Sequence, residues 1–573
     1  MAIKFKNKVQ NGELKIQRSR KLTNLEFLQE LKIHKLIVIH CQNIIPQLTS
    51  SILKELTIQY SDLKNIERFQ LENLEILDIS DNKELKNCSF ASFKQLKQLN
   101  ISSTNRTDIS NLQHQSLRVL NLRYNKILHI KLLQNLVNLE ELDLSYNEGV
   151  DINPLQYQKK LTKLKLSNCK LECVKTLELL TNLVELDLSL NRVDLSSLQY
   201  LVNLKKLNIS NTSINNINFL QPLIYIEELD ISENLIADIN VLKYLVKITN
   251  LNLFDSKIQN IQILVQLEHL KELNLSANPD IDFQPLKKMS QLQRLTLCYN
   301  ELSNISFLSG LINIQYLNLH YNSNLDITPL QFLVNLINLN ISRCSINDIS
   351  SLKTLVNLEV LEISFNNLNN IQHLQNLIKL TDINLNYNKI QDISILKKFK
   401  YLKKLQISGN KDINLLSIQY LIQLTDLRLS KCDLYEISAL RPLVNLEYLD
   451  ISDNNIQQFY PIKDLDVDVC VYNNLIVESS DYYTFNDVTD KSKLIKRRPN
   501  KYQIQFAVKM KIVDLSTQYI RDINTKRQNY LYIKQIVKDT LVSLQEKQRE
   551  IILALANKAV QLFLCLNGQE EQQ

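Results

Sequence analysis

The sequence is poor in the residues from which phosphate sites and common catalytic centres are built. Only five glycines occur in 573 residues, too few for loops whose bare backbone N–H groups cradle phosphate. None of the spacings G-x-x-x-x-G-K, G-x-G-x-x-G, H-E-x-x-H or G-x-S-x-G is present, so the nucleotide-binding, metalloprotease and hydrolase classes that depend on them lack support. The seven histidines (His34, His40, His114, His129, His269, His320 and His373) are scattered and form no group at metal-ligand spacing. A non-enzymatic protein with no cofactor and no metal is expected. Long apolar runs are also missing. The N-terminal MAIKFKNKVQ has no hydrophobic region, and the late stretch IILALANKAVQLFLCL is broken by Asn557 and Lys558. Neither a signal peptide nor a membrane span is expected, which points to a cytoplasmic protein.

What the chain does contain is a repeat. In residues 380 to 401, LTDINLNYNKIQDISILKKFKY, the pattern L-x-x-L-x-L-x-x-N is carried by Leu380, Ile383, Leu385 and Asn388. The alternation at Ile383 and Leu385 has the two-residue period of a short strand, and the spacing of three through Ile390, Ile393, Leu396 and Phe399 suits a 3₁₀ return. First positions recur at Leu53, Leu74, Leu96 and onward to Leu424 and Leu446, in nineteen clear copies with steps of 21 or 22 residues. A weaker copy starts at Ile33, and a half-copy surrounds Val469, Val471 and Asn474. One unit cannot bury its apolar face alone, whereas a stack of copies can, and such a stack has no core-size limit.

This pattern resembles the leucine-rich repeat family, in the short 22-residue type of the internalins and of a regulatory subunit of protein phosphatase one, over roughly residues 31 to 475. The resemblance implies an α/β solenoid: a superhelix with a concave parallel β-sheet and a convex side of short 3₁₀, helical or irregular segments. It also implies an inward asparagine ladder at the ninth position. Twelve of the nineteen copies have Asn there, and the others have Ser61, Thr104, Cys169, Thr212, Ser256, Cys344 and Cys432. Each of these short side chains can still donate a hydrogen to a buried carbonyl. In the family Cys can replace Asn, which accounts for Cys41, Cys169, Cys344 and Cys432 among the nine cysteines. Coils about 4.8 Å apart keep these four from bridging, and reduced thiols in the cytosol are expected.

Four regions follow. Residues 1 to 32 read as a cap, with Asn11-Gly12 between Val9 and Leu14 and Ile16 as a hairpin signal that would cover the open sheet edge. Lys4, Lys6, Lys8, Lys15, Arg18, Arg20 and Lys21 make this segment basic. Residues 33 to 475 hold about twenty repeats, and residues 476 to 500 form a polar linker. Residues 501 to 573 read as a basic helical extension, similar to those on multi-repeat protist proteins. Segment 491 to 550 has fifteen Lys and Arg against five Asp and Glu, a net of +10. Apolar residues at Ile533, Val537, Leu541, Leu544, Ile551, Leu555 and Leu562 fit a coiled coil or a helical hairpin, and the two stay open.

On the outward face, Glu141, Lys163, Glu185, Lys206 and Glu228 alternate in sign. A parallel row reads Asp143, Lys165, Asp187, Asn208 and Asp230. Both rows are expected to satisfy themselves across neighbouring strands. Farther on, the eighth position reads Tyr299, Tyr321, Arg343, Phe365 and Tyr387, with Arg294, Tyr316 and His320 nearby; Tyr124 and Tyr146 form a smaller strip. Tyr and Arg dominate interface hot spots. These eight residues are the expected partner site, on outward strand positions, of a scaffold or adaptor that binds a protein of unidentified kind. The C-terminal helix is expected to serve self-association or a second partner. Alternatives are regulation of a protein phosphatase, which the family resemblance suggests, and nucleic-acid or anionic-membrane contact through the basic termini.

Overall fold

The computed structural model describes residues 9–18, 25, 31–41, 47–85 and 88–474. Each repeat forms one coil of a leucine-rich repeat solenoid. Twenty-two strands, from Glu13–Gln17 to Asp468–Cys470, join in one parallel sheet. Homologous residues pair laterally, so that Ile383 lies between Leu361 and Leu405. The middle residue of each three-residue strand points inward. Leu380, Ile383, Leu385, Ile390, Ile393, Leu396 and Phe399 are all at most 2% exposed, and equivalent residues form one continuous core from Leu14 to Ile462. The outer return is a 3₁₀ segment such as Ser394–Lys398. It begins where Asp392 accepts the Ser394 N–H at 2.8 Å, as Asp348 does for Ser350 at 2.9 Å, a local bond that favours this turn.

At the N-terminal end, Asn11-Gly12 does form a tight turn, closed by Gln10 N–H to Glu13 O at 3.0 Å and Glu13 N–H to Gln10 O at 2.8 Å. The strand that leaves it, Glu13–Gln17, does not fold back over the edge. It runs parallel to Lys35–Ile39 as the first strand of the sheet itself. Gly12 is needed there, since φ is +73° and a Cβ would lie 2.3 Å from the His34 ring. The remaining basic residues expected near the start (Lys4, Lys6, Lys8, Arg20 and Lys21), the linker from Ile476 and the C-terminal extension lie outside the described residues. Among the described residues no helix is long and apolar enough to cross a membrane.

The ladder binds each coil to its predecessor. Asn388 donates from Nδ2 to Leu385 O and to Ile363 O of the preceding coil, both at 3.1 Å, while Asn410 Oδ1 accepts the Ile390 N–H at 3.0 Å. The cysteines substitute as donors: Cys169 Sγ lies 3.3 Å from Leu144 O, Cys344 Sγ 3.2 Å from Leu319 O and Cys432 Sγ 3.4 Å from Ile407 O. Burial pushes the Cys169 and Cys432 thiols up to about 12, so they keep the proton that they donate. The eight described cysteines form no disulfide with one another.

A rule appears that single copies do not reveal. Each of the seven short ladder residues is followed by a coil with Asn, and that Asn accepts two backbone N–H groups, as Asn322 also does after Asn300. Asn366 takes those of Cys344 and Ile346, both at 3.0 Å, and Asn82 takes those of Ser61 and Leu63, both at 3.1 Å. The residue between each pair is left-handed, with φ of 58° at Ser345 and 51° at Asp62, which turns both N–H groups toward one oxygen. Asn366→Ala should therefore cost about 2–4 kcal/mol, because two buried donors lose their acceptor. Cys344→Asn should be tolerated. Hydrogen exchange should rise in the coils beside Asn366 and not throughout the stack; chemical denaturation and exchange mapping check both. A reducing agent should leave the melting temperature unchanged.

Candidate partner-binding surface

The chain leaves every strand through the same turn. From His40 to Asn473 the eighth residue of each coil has φ between 45° and 72°, and from Asp81 to Asp453 its N–H bonds to the next coil. Tyr321 N–H reaches Ser342 O at 3.0 Å, Phe365 N–H reaches Asn386 O at 2.8 Å and Tyr387 N–H reaches Ser408 O at 2.7 Å. The left-handed turn is thus imposed by bonding between coils, whatever side chain the position carries. Asp, Asn and Gly accept such a φ readily, and bulky side chains do not. Asp81, Asn168, Asn211, Asp255, Gly409 and Asp453 follow that preference, whereas Tyr299, Tyr321, Arg343, Phe365 and Tyr387 run against it.

These five residues form a ridge along the rim where the strands end, rather than lying on the strands as expected. The reason is the turn: the eighth residue follows the three-residue strand and projects from its end. Tyr299 and Tyr321 stack with ring centroids 4.6 Å apart, Phe365 and Tyr387 stack at 4.5 Å, and the Arg343 guanidinium lies 4.0 Å from the Phe365 centroid. The rings nevertheless stay in contact with solvent, with Tyr299 44%, Phe365 40% and Tyr387 40% exposed. Small residues end the ridge. Ala277 precedes it, and at Gly409 an added Cβ would meet the Tyr387 ring at 2.7 Å.

His320 belongs to the ridge, 5.7 Å from Tyr299 and 5.9 Å from Tyr321 between ring centroids. Burial and the nearby Arg343 hold its imidazole below the usual histidine range. Arg294 and Tyr316 do not join it. They begin the strands Arg294–Thr296 and Tyr316–Asn318 and lie side by side on the sheet. The Arg294 guanidinium lies 4.2 Å from the Tyr316 ring centroid, and its Nε is 3.7 Å from Glu272. The eight residues therefore make a rim group of six and a separate pair on the sheet face.

Two smaller stacks repeat the rim geometry, His40 on Tyr60 at 4.8 Å and Tyr124 on Tyr146 at 4.1 Å. Arg123 lies 4.8 Å from both rings of the second. The His40 stack and the role of Arg123 are missed by the sequence reading, although both follow from comparing adjacent coils. The charge rows divide likewise. Lys163 meets Glu141 at 3.2 Å and Lys206 meets Glu228 at 2.7 Å. In the parallel row, however, Asp143, Asp187 and Asp230 accept the N–H groups of Ser145, Ser189 and Ser232 at 2.9–3.0 Å. All three acids thus serve their own turns through Oδ1, and Asp230 also pairs laterally, its Oδ2 accepting from Asn252 Nδ2 at 2.9 Å.

No protein-family model matches the chain, and no curated protein matches it. Solved structures do. An internalin of Listeria monocytogenes is 31% identical over 54% of this chain and 91% of its own, with a TM-score of 0.47. TLR13 in complex with ssRNA13 is 23% identical over 81% of this chain and 75% of its own, with a TM-score of 0.55. A leucine-rich repeat protein of Leptospira interrogans is 23% identical over 67% of this chain and 95% of its own, with a TM-score of 0.43. The likeness in fold over 81% of the chain agrees with the register, the ladder and the 3₁₀ returns: the described chain is a leucine-rich repeat solenoid.

Proposed function

We propose that this protein is a non-enzymatic scaffold that binds another protein along the ridge Tyr299, His320, Tyr321, Arg343, Phe365 and Tyr387, with Arg294 and Tyr316 on the adjoining sheet. The observation that carries this reading is the conformation of the ridge. A left-handed φ costs a non-glycine residue about 1–2 kcal/mol, and each aromatic stack returns about 0.5–1.5 kcal/mol. Five such positions joined by two aromatic stacks are therefore no net aid to folding, while they concentrate large rigid side chains in contact with solvent.

The ridge also favours one partner chemistry. Each stack covers one face of its two rings, and the Arg343 guanidinium lies against Phe365, which leaves ring edges available to a partner. Ring edges carry the positive part of the aromatic quadrupole, so carboxylate and carbonyl oxygens of a protein segment fit them. The TLR13 structure contains ssRNA; bases stack on open ring faces, and each stack in the ridge covers one face of each of its two rings, so retention of single-stranded RNA by the ridge would count against the protein-binding reading. Regulation of a phosphatase is a special case of the same protein-binding reading. A cytoplasmic location belongs to the proposal as well, in keeping with the lack of disulfides among the eight described cysteines.

Two measurements test it. Tyr321→Asn and Phe365→Asn should leave the melting temperature unchanged or slightly raised, because Asn accepts the left-handed turn; a loss larger than the stack is worth would make the ridge structural. With the full chain as bait, Tyr321→Ala and Phe365→Ala should each weaken capture of the partner by about 2 kcal/mol. Exchange of Glu141 and Lys163 should leave capture intact. Retained affinity in the aromatic double variant, together with loss in the charge exchange, would move the site to the N-terminal half.

A further inference from the structure

One place in the core breaks the aliphatic rule. The eleventh residue of a coil is Leu63, Leu171, Ile346 or Ile390 elsewhere, but in the coil that starts at Leu96 it is Arg106. Arg106 is 1% exposed, and it is the sole Asp, Glu, Lys or Arg that is buried among the described residues. Its backbone N–H is held by Asn125 Oδ1 at 2.9 Å, so the ladder leaves the side chain no way out of the stack. The preceding coil carries a second anomaly. Where other coils have Ile66, Ile109 or Ile130, it has Cys88.

The two meet. Arg106 Nη2 lies 3.3 Å from Cys88 Sγ, and the guanidinium lies 5.1 Å from the Phe90 ring centroid. His114 lies beside the same Phe90, its Nε2 engaged with Phe90 O at 2.8 Å, and burial holds its imidazole below the usual histidine range. Among the described residues Arg106 Nε and Nη1 have no acceptor. A buried cation with unmet donors is among the least favourable groups that a core can hold, and beside it lies the Cys88 sulfur, whose thiol burial holds above its usual range against the opposing pull of Arg106.

We infer that Cys88 is an oxidation site: peroxide converts its thiol to a sulfenate, and the new oxygen supplies the acceptor that Arg106 lacks. Sulfur attacks one peroxide oxygen, the S–O bond forms and the O–O bond breaks. The departing hydroxide takes the thiol proton and leaves as water, so sulfur gives up two electrons and peroxide gains them. The sulfenic proton passes to solvent, leaving an anion beside the guanidinium, in a charge-assisted hydrogen bond. Peroxide is close to water in size and needs only a brief local opening to enter. The ladder thiols of Cys169, Cys344 and Cys432 are different, since each is committed to a carbonyl as donor.

The test uses the full chain treated with hydrogen peroxide, quenched in denaturant with dimedone and mapped by mass spectrometry. The sulfenate adduct should appear at Cys88 and persist about tenfold longer than at Cys173, the factor that one hydrogen bond to a charged group commands; Cys173 is exposed and serves as the reference. In Arg106→Lys, which keeps the charge and loses the planar fork, the lifetime should fall to that of Cys173. The melting temperature of the unsubstituted chain should rise on oxidation, a readout that needs no variant. Recovery of Cys88 as free thiol at a dose that marks Cys173 would overturn the inference. So would a melting temperature that stays level or falls once Cys88 is oxidised.

Discussion

The stack depends on how one side chain at the ninth position of each coil settles backbone groups that no water can reach. Every coil buries N–H and C=O groups between itself and the next, and each unpaired one would oppose folding. Asn meets both needs at once, donating from Nδ2 and accepting at Oδ1. A shorter residue donates to a carbonyl but reaches less far as an acceptor, and in the clear copies its own coil uses the Oδ1 of the following Asn. Among the nineteen clear copies short ladder residues never occur in succession; where Cys41 of the weaker first copy precedes Ser61, the Ser61 hydroxyl accepts the Cys41 N–H at 3.2 Å.

The same bonding between coils governs the rim. The left-handed turn at the eighth position exists because its N–H must reach the neighbouring coil, not because the local residue favours it. Side chains there are consequently free to vary, and the surface can depart from conformational preference without altering the fold. At Arg106 the ladder acts on the core instead, since a fixed backbone N–H holds a charged side chain inside.

Much of the architecture was legible in the sequence because one period sets strand, ladder and inward leucines together. The 3₁₀ returns follow from the spacing of three in Ile390, Ile393 and Leu396. The rim was legible only as composition. That Tyr321 and Phe365 project from a left-handed turn contradicts their intrinsic preference, so no propensity argument reaches it. The separation of Arg294 and Tyr316 from the ridge follows from where a three-residue strand ends, which the repeat pattern marks only loosely. Asn138, Asn335 and Asn357 form a second set of bonds, to Gln115 O, Ile312 O and Val334 O. Its signal, Asn directly before the first leucine, was present in the sequence and unread. Arg106 was likewise visible to anyone aligning the eleventh position.

The ridge takes its spacing from the backbone, since each ring is carried by one coil and the hydrogen-bonded sheet sets the distance between coils. It therefore behaves as a ruler with fixed graduations. Duplication of one repeat would add one rung, and deletion would remove one, each changing the length of the contact surface by a whole unit. Small residues at Ala277 and Gly409 mark the two ends of the scale. Divergence among descendants of this chain would then proceed in steps, with partner preference shifting by the number of rungs before any single contact is remodelled.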